Sequence, residues 1–306
     1  MLDINNLVKK YLDYCQFNKQ LSAKTIKAYR IDLTQFAEYC GTEVCWTNRN
    51  NINNYLAELQ KRFKVRSTKR KLASIKAFFS YLEYEEIIEA NPFSKLRIRL
   101  NEPFVLPRTI PLETIETLLR RVYSEKNKCI KDGQQYRTKC RDIAVLELLF
   151  ASGIRVSELC SLTTDSVNLR DGTIRIYGKG SRERMIQIGN MNVLSALQTY
   201  YNAFSANIVE NGPFFLNRLQ SQLSEQSVRF MINKYVALSG ITYHITPHMF
   251  RHSFATLLLE EDVDIRYIQQ FLGHSSILTT QIYTHVSSKK KREILSDRHP
   301  RNKIML

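Results

Sequence analysis

Apolar residues recur at helical spacing along almost the whole of this chain, with one interruption: between Thr173 and Ile188 the period drops to two. There Ile174 and Ile176 alternate with Thr173, Arg175 and Tyr177. The turn Gly178-Lys179-Gly180-Ser181 follows, and then Met185 to Ile188. Side chains three and four apart share a helix face, whereas alternate side chains share a strand face, so one segment cannot satisfy both patterns. The pattern predicts a mainly α fold with a small β-sheet or hairpin. The best apolar run, Ile143 to Ile154, is broken by Glu147 and is too short for a membrane span, which takes about 20 residues. No membrane association is expected. The start, Met1 to Asn6, lacks a basic region followed by an apolar core, so no secretion signal is expected either. The cysteines form no C-x-x-C pair and no cluster with zinc spacing. They read as reduced thiols of a cytoplasmic protein, and no metal site or cofactor is expected.

The helical pattern divides the chain in two. Residues 3–20 carry Ile4, Leu7, Val8, Tyr11, Leu12 and Cys15 on one face. Ser22 is a candidate N-cap for a second helix ending near Gly41. A third helix is predicted over Asn50 to Gln60, and a fourth after Ser67-Thr68, through Leu72, Ile75, Phe78, Phe79 and Leu82. These make a compact four-helix unit over residues 1–94. Pro92 disfavours helix at Asn91, and Pro103 and Pro107 stiffen an aperiodic stretch, so 95–108 reads as a linker. The second domain, 109–290, starts with a helix from Leu112 to Tyr123. The polar stretch Ser124 to Lys139 reads as an inserted loop, and a helix follows over Arg141 to Phe150. After Leu194 the pattern is helical to about Ser288. A short basic tail, 291–306, closes the chain.

The charge points to a polyanionic partner. The 306 residues carry a net charge of +16, and residues 1–100 hold 18 basic and 10 acidic side chains of the total. The excess is therefore spread over both parts, which suits two surfaces facing one polyanion better than a single basic tail.

Several local patterns have a chemical reading. In Thr246-Pro247-His248-Met249-Phe250-Arg251-His252, Thr246 suits an N-cap and Pro247 the first helical position. His248 and Arg251, three apart at a positive helix end, fit a phosphate site. Taken alone, the pattern fits an ordinary surface pair about as well. Arg155, in Ser152-Gly153-Ile154-Arg155-Val156-Ser157-Glu158-Leu159, lies in an apolar run and needs a partner, for which Glu158, three residues on, is the candidate; taken alone, the motif fits a purely structural Arg–Glu pair about as well. Lys179 sits between two glycines at the hairpin tip, more often the place of a solvated lysine than of a ligand-binding one. His274 follows Gly273, a natural helix terminator. Nothing local marks Tyr283 as a nucleophile.

The ordered set Arg155, Lys179, His248, Arg251, His274 and Tyr283 resembles the tyrosine recombinase (phage integrase) family. The strings that carry it are Ser152 to Leu159, Gly178-Lys179-Gly180, Pro247 to His252, Leu272-Gly273-His274-Ser275 and Thr280-Gln281-Ile282-Tyr283-Thr284-His285-Val286. The resemblance covers nearly the whole chain and is nearest to the Xer-type subgroup, which has no separate arm-binding domain. It implies a SAM-like core-binding domain over 1–94 and a catalytic domain over 109–290. It implies site-specific cutting and rejoining of DNA through a 3′-phosphotyrosyl intermediate, without metal or ATP. Tyr283 is then the nucleophile. Arg155 and Arg251 hold the non-bridging phosphate oxygens, and His248 accepts or shares the Tyr283 proton. Lys179 protonates the leaving 5′-oxygen, His274 donates to the phosphate, and Glu158 buttresses Arg155. The implied partners are a double-stranded recombination site and further copies of the chain. These form a tetramer on two duplexes, with the tail as connector through Ile294 and Leu295, and a second recombinase or accessory factor can join. Two other readings keep part of the pattern: a non-catalytic DNA-binding protein on the same fold, and a type IB topoisomerase-like enzyme.

The stretch Lys61 to Lys71 has seven basic residues and no acid. Arg66, Lys69, Arg70 and Lys76 on the fourth helix are the expected DNA contacts, mainly to phosphates.

Overall fold

The computed structural model describes residues 3–41, 45–94, 96, 98, 100–101, 107–131, 133–177 and 183–273. The chain divides into two compact units, Met1–Phe104 and Val105–Leu306.

Among its described residues the first unit has four helices: α1 (Ile4–Phe17), α2 (Ala23–Cys40), α3 (Arg49–Arg62) and α4 (Val65–Tyr84). Ser22 caps α2 by accepting from the Thr25 amide, as its sequence position predicts. The apolar stripes meet in an aromatic core of Tyr11, Phe36, Tyr55, Phe78 and Phe79, with Phe93 folded back onto it. Phe79 touches both Phe36 and Phe93 at ring-centroid distances of 5.9 and 5.2 Å. Each such buried side chain contributes about 2–3 kcal/mol to holding the helices together. The helix α4 begins at Val65, four residues earlier than its pattern predicts. Thr68 is buried inside α4, where its hydroxyl donates to the Leu59 carbonyl of α3.

The second unit centres on α6 (Gln134–Ser152), which lies against α5 (Leu112–Asn127), α8 (Met191–Phe204) and α10 (Pro247–Glu260). Ile143, Ala144, Val145, Leu146, Leu148 and Leu149 are all buried, so α6 has no polar stripe over this span. That is the pattern of a helix enclosed by neighbours. Among the described residues the remaining elements are the short α7 (Val156–Cys160), a 3-10 turn (Thr164–Ser166), β1 (Val167–Asn168), β2 (Thr173–Tyr177), β3 (Glu183–Gln187), α9 (Glu225–Leu238) and α11 (Ile265–Leu272). The expected hairpin is there, with Ile174 opposite Ile186, and β1 adds a third antiparallel strand.

The stretch Ser124 to Lys139 is not an inserted loop. The α5 helix continues to Asn127 and α6 starts at Gln134, leaving six residues between them. Some of the polar residues that suggested a loop pair within the helical structure. Arg121 and Lys128 flank Glu125 at 3.4 and 3.0 Å. Lys139 is buried and donates to the Tyr235 hydroxyl of α9, which in turn donates to Asp142. A buried, paired lysine looks like a surface one in the sequence.

Candidate active site

The α6 helix ends on Gly153, in the left-handed region at φ +58°. A Cβ there would lie 2.7 Å from Phe254 and 3.0 Å from Leu272, so glycine is needed for space as well as for conformation. The turn delivers Arg155 as the N-cap of α7. Its own amide donates to Glu158 Oε2 at 2.9 Å, and its Nη1 donates to Oε1 at 2.7 Å. The Arg155–Glu158 pairing expected from the sequence is therefore made. The Arg155 side chain keeps 37% of its surface exposed, while its partner is buried.

Arg251 enters from α10. It is buried and bridges two carbonyls, Nη1 to Gly153 and Nη2 to Leu272, both at 2.7 Å. Two donors of a planar five-donor group are thus fixed, which sets the plane of the rest. The string that bears Arg155 and the end of α11 are held on one side chain. Gly273 caps α11 in the left-handed region at φ +64° and immediately precedes His274.

His248 is exposed at the second position of α10, after Pro247; the Thr246 side chain makes no capping bond. His248 and Arg251 do not present one common surface, because Arg251 lies a turn further on and points inward. Although His248 keeps exposed surface, partial loss of water around its ring lowers its pKa, and the cations Arg251, Arg229 and Arg155 lower it further against an opposing effect of Glu225. The shift favours the neutral ring, which can accept a proton. Arg155, His248 and Arg251 thus belong to one electrostatic group. Lys179, His274 and Tyr283 lie outside the described residues, as does the tail with Ile294 and Leu295.

The sequence reading did not single out Arg184. It donates from Nη1 to Glu158 Oε1 at 3.0 Å and from Nη2 to Oε2 at 2.7 Å. Burial raises the pKa of the Glu158 carboxyl, but bonds from Arg184 and Arg155 outweigh it and hold the pKa at about 2. A signal was available: Arg184 and Ile186 alternate onto one face of β3, and an inward-facing arginine demands a carboxylate.

His252, one turn after His248, has its pKa pushed down to about 4 by burial, with His248 and Arg251 adding to it. An unfolded histidine protonates near 6.5. Below that pH the unfolded chain binds a proton that the folded chain refuses, so stability is complete above 6.5 and falls toward pH 4. Thermal melts should show this decline, and His252→Asn should flatten it. A decline of equal depth in His252→Asn would place its source elsewhere.

In the first unit, Arg66 and Lys69 are exposed along α4 and Lys76 is half-buried. Arg70 is exposed but its guanidinium is paired with Asp32 of α2, a fully buried carboxylate. The Lys71 Nζ reaches the same carboxylate at 3.0 Å, and Lys71 is buried, so it is no part of a basic surface. Among the described residues no group of three or more His, Cys, Asp and Glu could hold a metal ion, and no helix is long and apolar enough to cross a membrane.

The model of the phage integrase family matches residues 120–290, and that of the phage integrase N-terminal SAM-like domain matches residues 8–86. A tyrosine recombinase of Agathobacter rectalis is 53% identical over 302 residues, spanning 97% of this chain and 98% of the relative. Tyrosine recombinase XerD of Shewanella oneidensis is 33% identical, spanning 96% of this chain and 97% of the relative. Among solved structures, XerH site-specific recombinase bound to a palindromic difH substrate in a post-cleavage complex matches with a TM-score of 0.74. It is 21% identical and spans 95% of this chain and 83% of that one. This last likeness bears on the fold.

Proposed function

The chain belongs to the phage integrase family of tyrosine recombinases, and from that premise we propose how its residues divide the work of DNA strand exchange. It is a site-specific recombinase. Residues 1–94 form the core-binding domain, 95–108 the linker, 109–290 the catalytic domain and 291–306 a subunit contact. Tyr283 attacks the scissile phosphate, the 5′-oxygen leaves, and a 3′-phosphotyrosyl bond preserves the energy for religation. At pH 7 only about 0.1% of free tyrosine is ionised, so the site must take its proton. Neutral His248 does so. Arg155 and Arg251 bind the non-bridging oxygens and stabilise the extra charge of the transition state. Lys179 protonates the leaving oxygen, His274 donates to the phosphate, and Glu158 orients Arg155.

The observation that carries this reading is Arg251 bridging the carbonyls of Gly153 and Leu272. That one contact brings the Arg155 string, the His248 string and the residue before Gly273-His274 to one place. Two guanidinium groups, of Arg155 and Arg184, share one carboxylate there, that of Glu158. The excess positive charge suits a phosphodiester.

The partners are a double-stranded recombination site and three further copies of the chain on two duplexes. A second recombinase or accessory factor fits the same assembly, and the cytoplasm is where such DNA is met. The test is capture of covalent adducts from a genomic fragment pool under denaturing conditions, with sequencing of the attached ends. Adducts on 3′ ends at one recurring site bear the proposal out. Adducts at random sites would make the chain topoisomerase-like, and DNA retention without any adduct would leave it a binder.

Binding itself should be strongly salt-dependent. If each protomer neutralises about six phosphates, affinity falls about 10³-fold between 50 and 200 mM salt. Removing Arg66 and Lys69 together should lower the slope of log K against log salt by roughly two. An unchanged slope would take α4 off the duplex.

A further inference from the structure

Glu158 has no acceptor position to spare. Its Oε1 takes Arg155 Nη1 at 2.7 Å and Arg184 Nη1 at 3.0 Å. Its Oε2 takes the Arg155 amide at 2.9 Å and Arg184 Nη2 at 2.7 Å. A carboxylate offers about four lone-pair sites, and all four are filled. Arg184 takes both oxygens in the bidentate geometry that a guanidinium and a carboxylate prefer, whereas Arg155 is left with one side-chain bond. The two arginines also differ in exposure. The Arg184 side chain is 12% exposed and its Nε is buried without a partner among the described residues, whereas Arg155 is 37% exposed. The same Arg184 side chain closes over Gly273, where a Cβ would lie 2.8 Å from Cδ.

We infer that Arg184 is a positioning residue for DNA cleavage: by saturating Glu158 it lets the carboxylate orient Arg155 without drawing the whole guanidinium, or cancelling its charge, away from the phosphate. The inference rests on the proposed role of Arg155. Without Arg184, two acceptor positions of a buried carboxylate stand empty and the nearest donors are those of Arg155. Glu158 then turns to take Arg155 by both nitrogens. One carboxylate shared between two cations leaves a positive charge over; one carboxylate on one cation leaves none.

The experiment is single-turnover cleavage of a nicked duplex carrying the site recovered by adduct capture, measured beside DNA affinity and melting temperature. Arg184→Ala should cleave about 10- to 100-fold more slowly, as misplaced catalytic groups do, with affinity little changed. Arg184→Lys should recover part of the loss. The deciding variant combines Arg184→Ala with Glu158→Gln. Removing the freed carboxylate should make the double variant faster than Arg184→Ala alone. A double variant no faster than the single one, or an Arg184→Ala rate equal to wild type, overturns the inference. Where Arg184→Ala melts too low to assay, Arg184→Gln replaces it, since it keeps a side-chain stem over Gly273 while giving up the fork. Arg155→Ala run in parallel separates the two failures: normal cleavage there would sink the assignment of Arg155, and this inference with it.

Discussion

Phenylalanine at position 283 should abolish the covalent protein–DNA adduct while the protein still binds its site. The substitution keeps the aromatic ring and removes only the oxygen that forms the new bond. A lost nucleophile has no substitute, and the cleavage rate should fall by more than about 10⁴-fold, below detection in an adduct assay. DNA affinity depends on the many phosphate contacts of a basic chain and should stay close to wild type. Adduct capture and gel mobility shift, run on the same preparations, check both halves. An adduct persisting in Tyr283→Phe would move the nucleophile to another residue and dismantle the assignment of the whole ordered set.

Arg251→Ala and Arg155→Ala should both cut cleavage by about 10²- to 10³-fold, the usual cost of one donor to a developing anionic charge. They should differ sharply in stability. Arg251 is buried and serves the carbonyls of Gly153 and Leu272. Its removal leaves both acceptors unpaired and should cost about 2–4 kcal/mol. Arg155 is partly exposed, and its partner Glu158 keeps Arg184. Its removal should cost within about 1 kcal/mol. Denaturant unfolding beside single-turnover cleavage reads the two effects separately. Arg251→Lys should restore little of either, because an ammonium on a flexible stem cannot bridge two fixed carbonyls. Equal stability losses in the two alanine variants would contradict the division of labour between a buried and an exposed arginine.

Much of this was legible in the residues. The change of period at Thr173 marks the sheet within a helical chain, and Ser22 caps the helix that it precedes. Gly153 and Gly273 stand where helices must end in the left-handed region. Arg155 and Glu158 are three apart and pair as that spacing suggests. Each of these follows from interactions within a few residues, where backbone geometry alone limits the outcome.

The missed features share the opposite property. Arg184 meets Glu158 across 26 positions, Lys71 meets Asp32 across 39, and Lys139 meets Tyr235 across 96. Nothing local separates these cations from solvated ones, and Ser124 to Lys139 looked like a loop for the same reason. The sequence by itself settled the helical class, the place of the sheet and the family, because these are written in short-range pattern and in strings of residues. Only the tertiary structure decided which arginines and lysines are buried and whom they serve. Burial of a charge depends on a partner that the fold, not the neighbouring sequence, brings within reach.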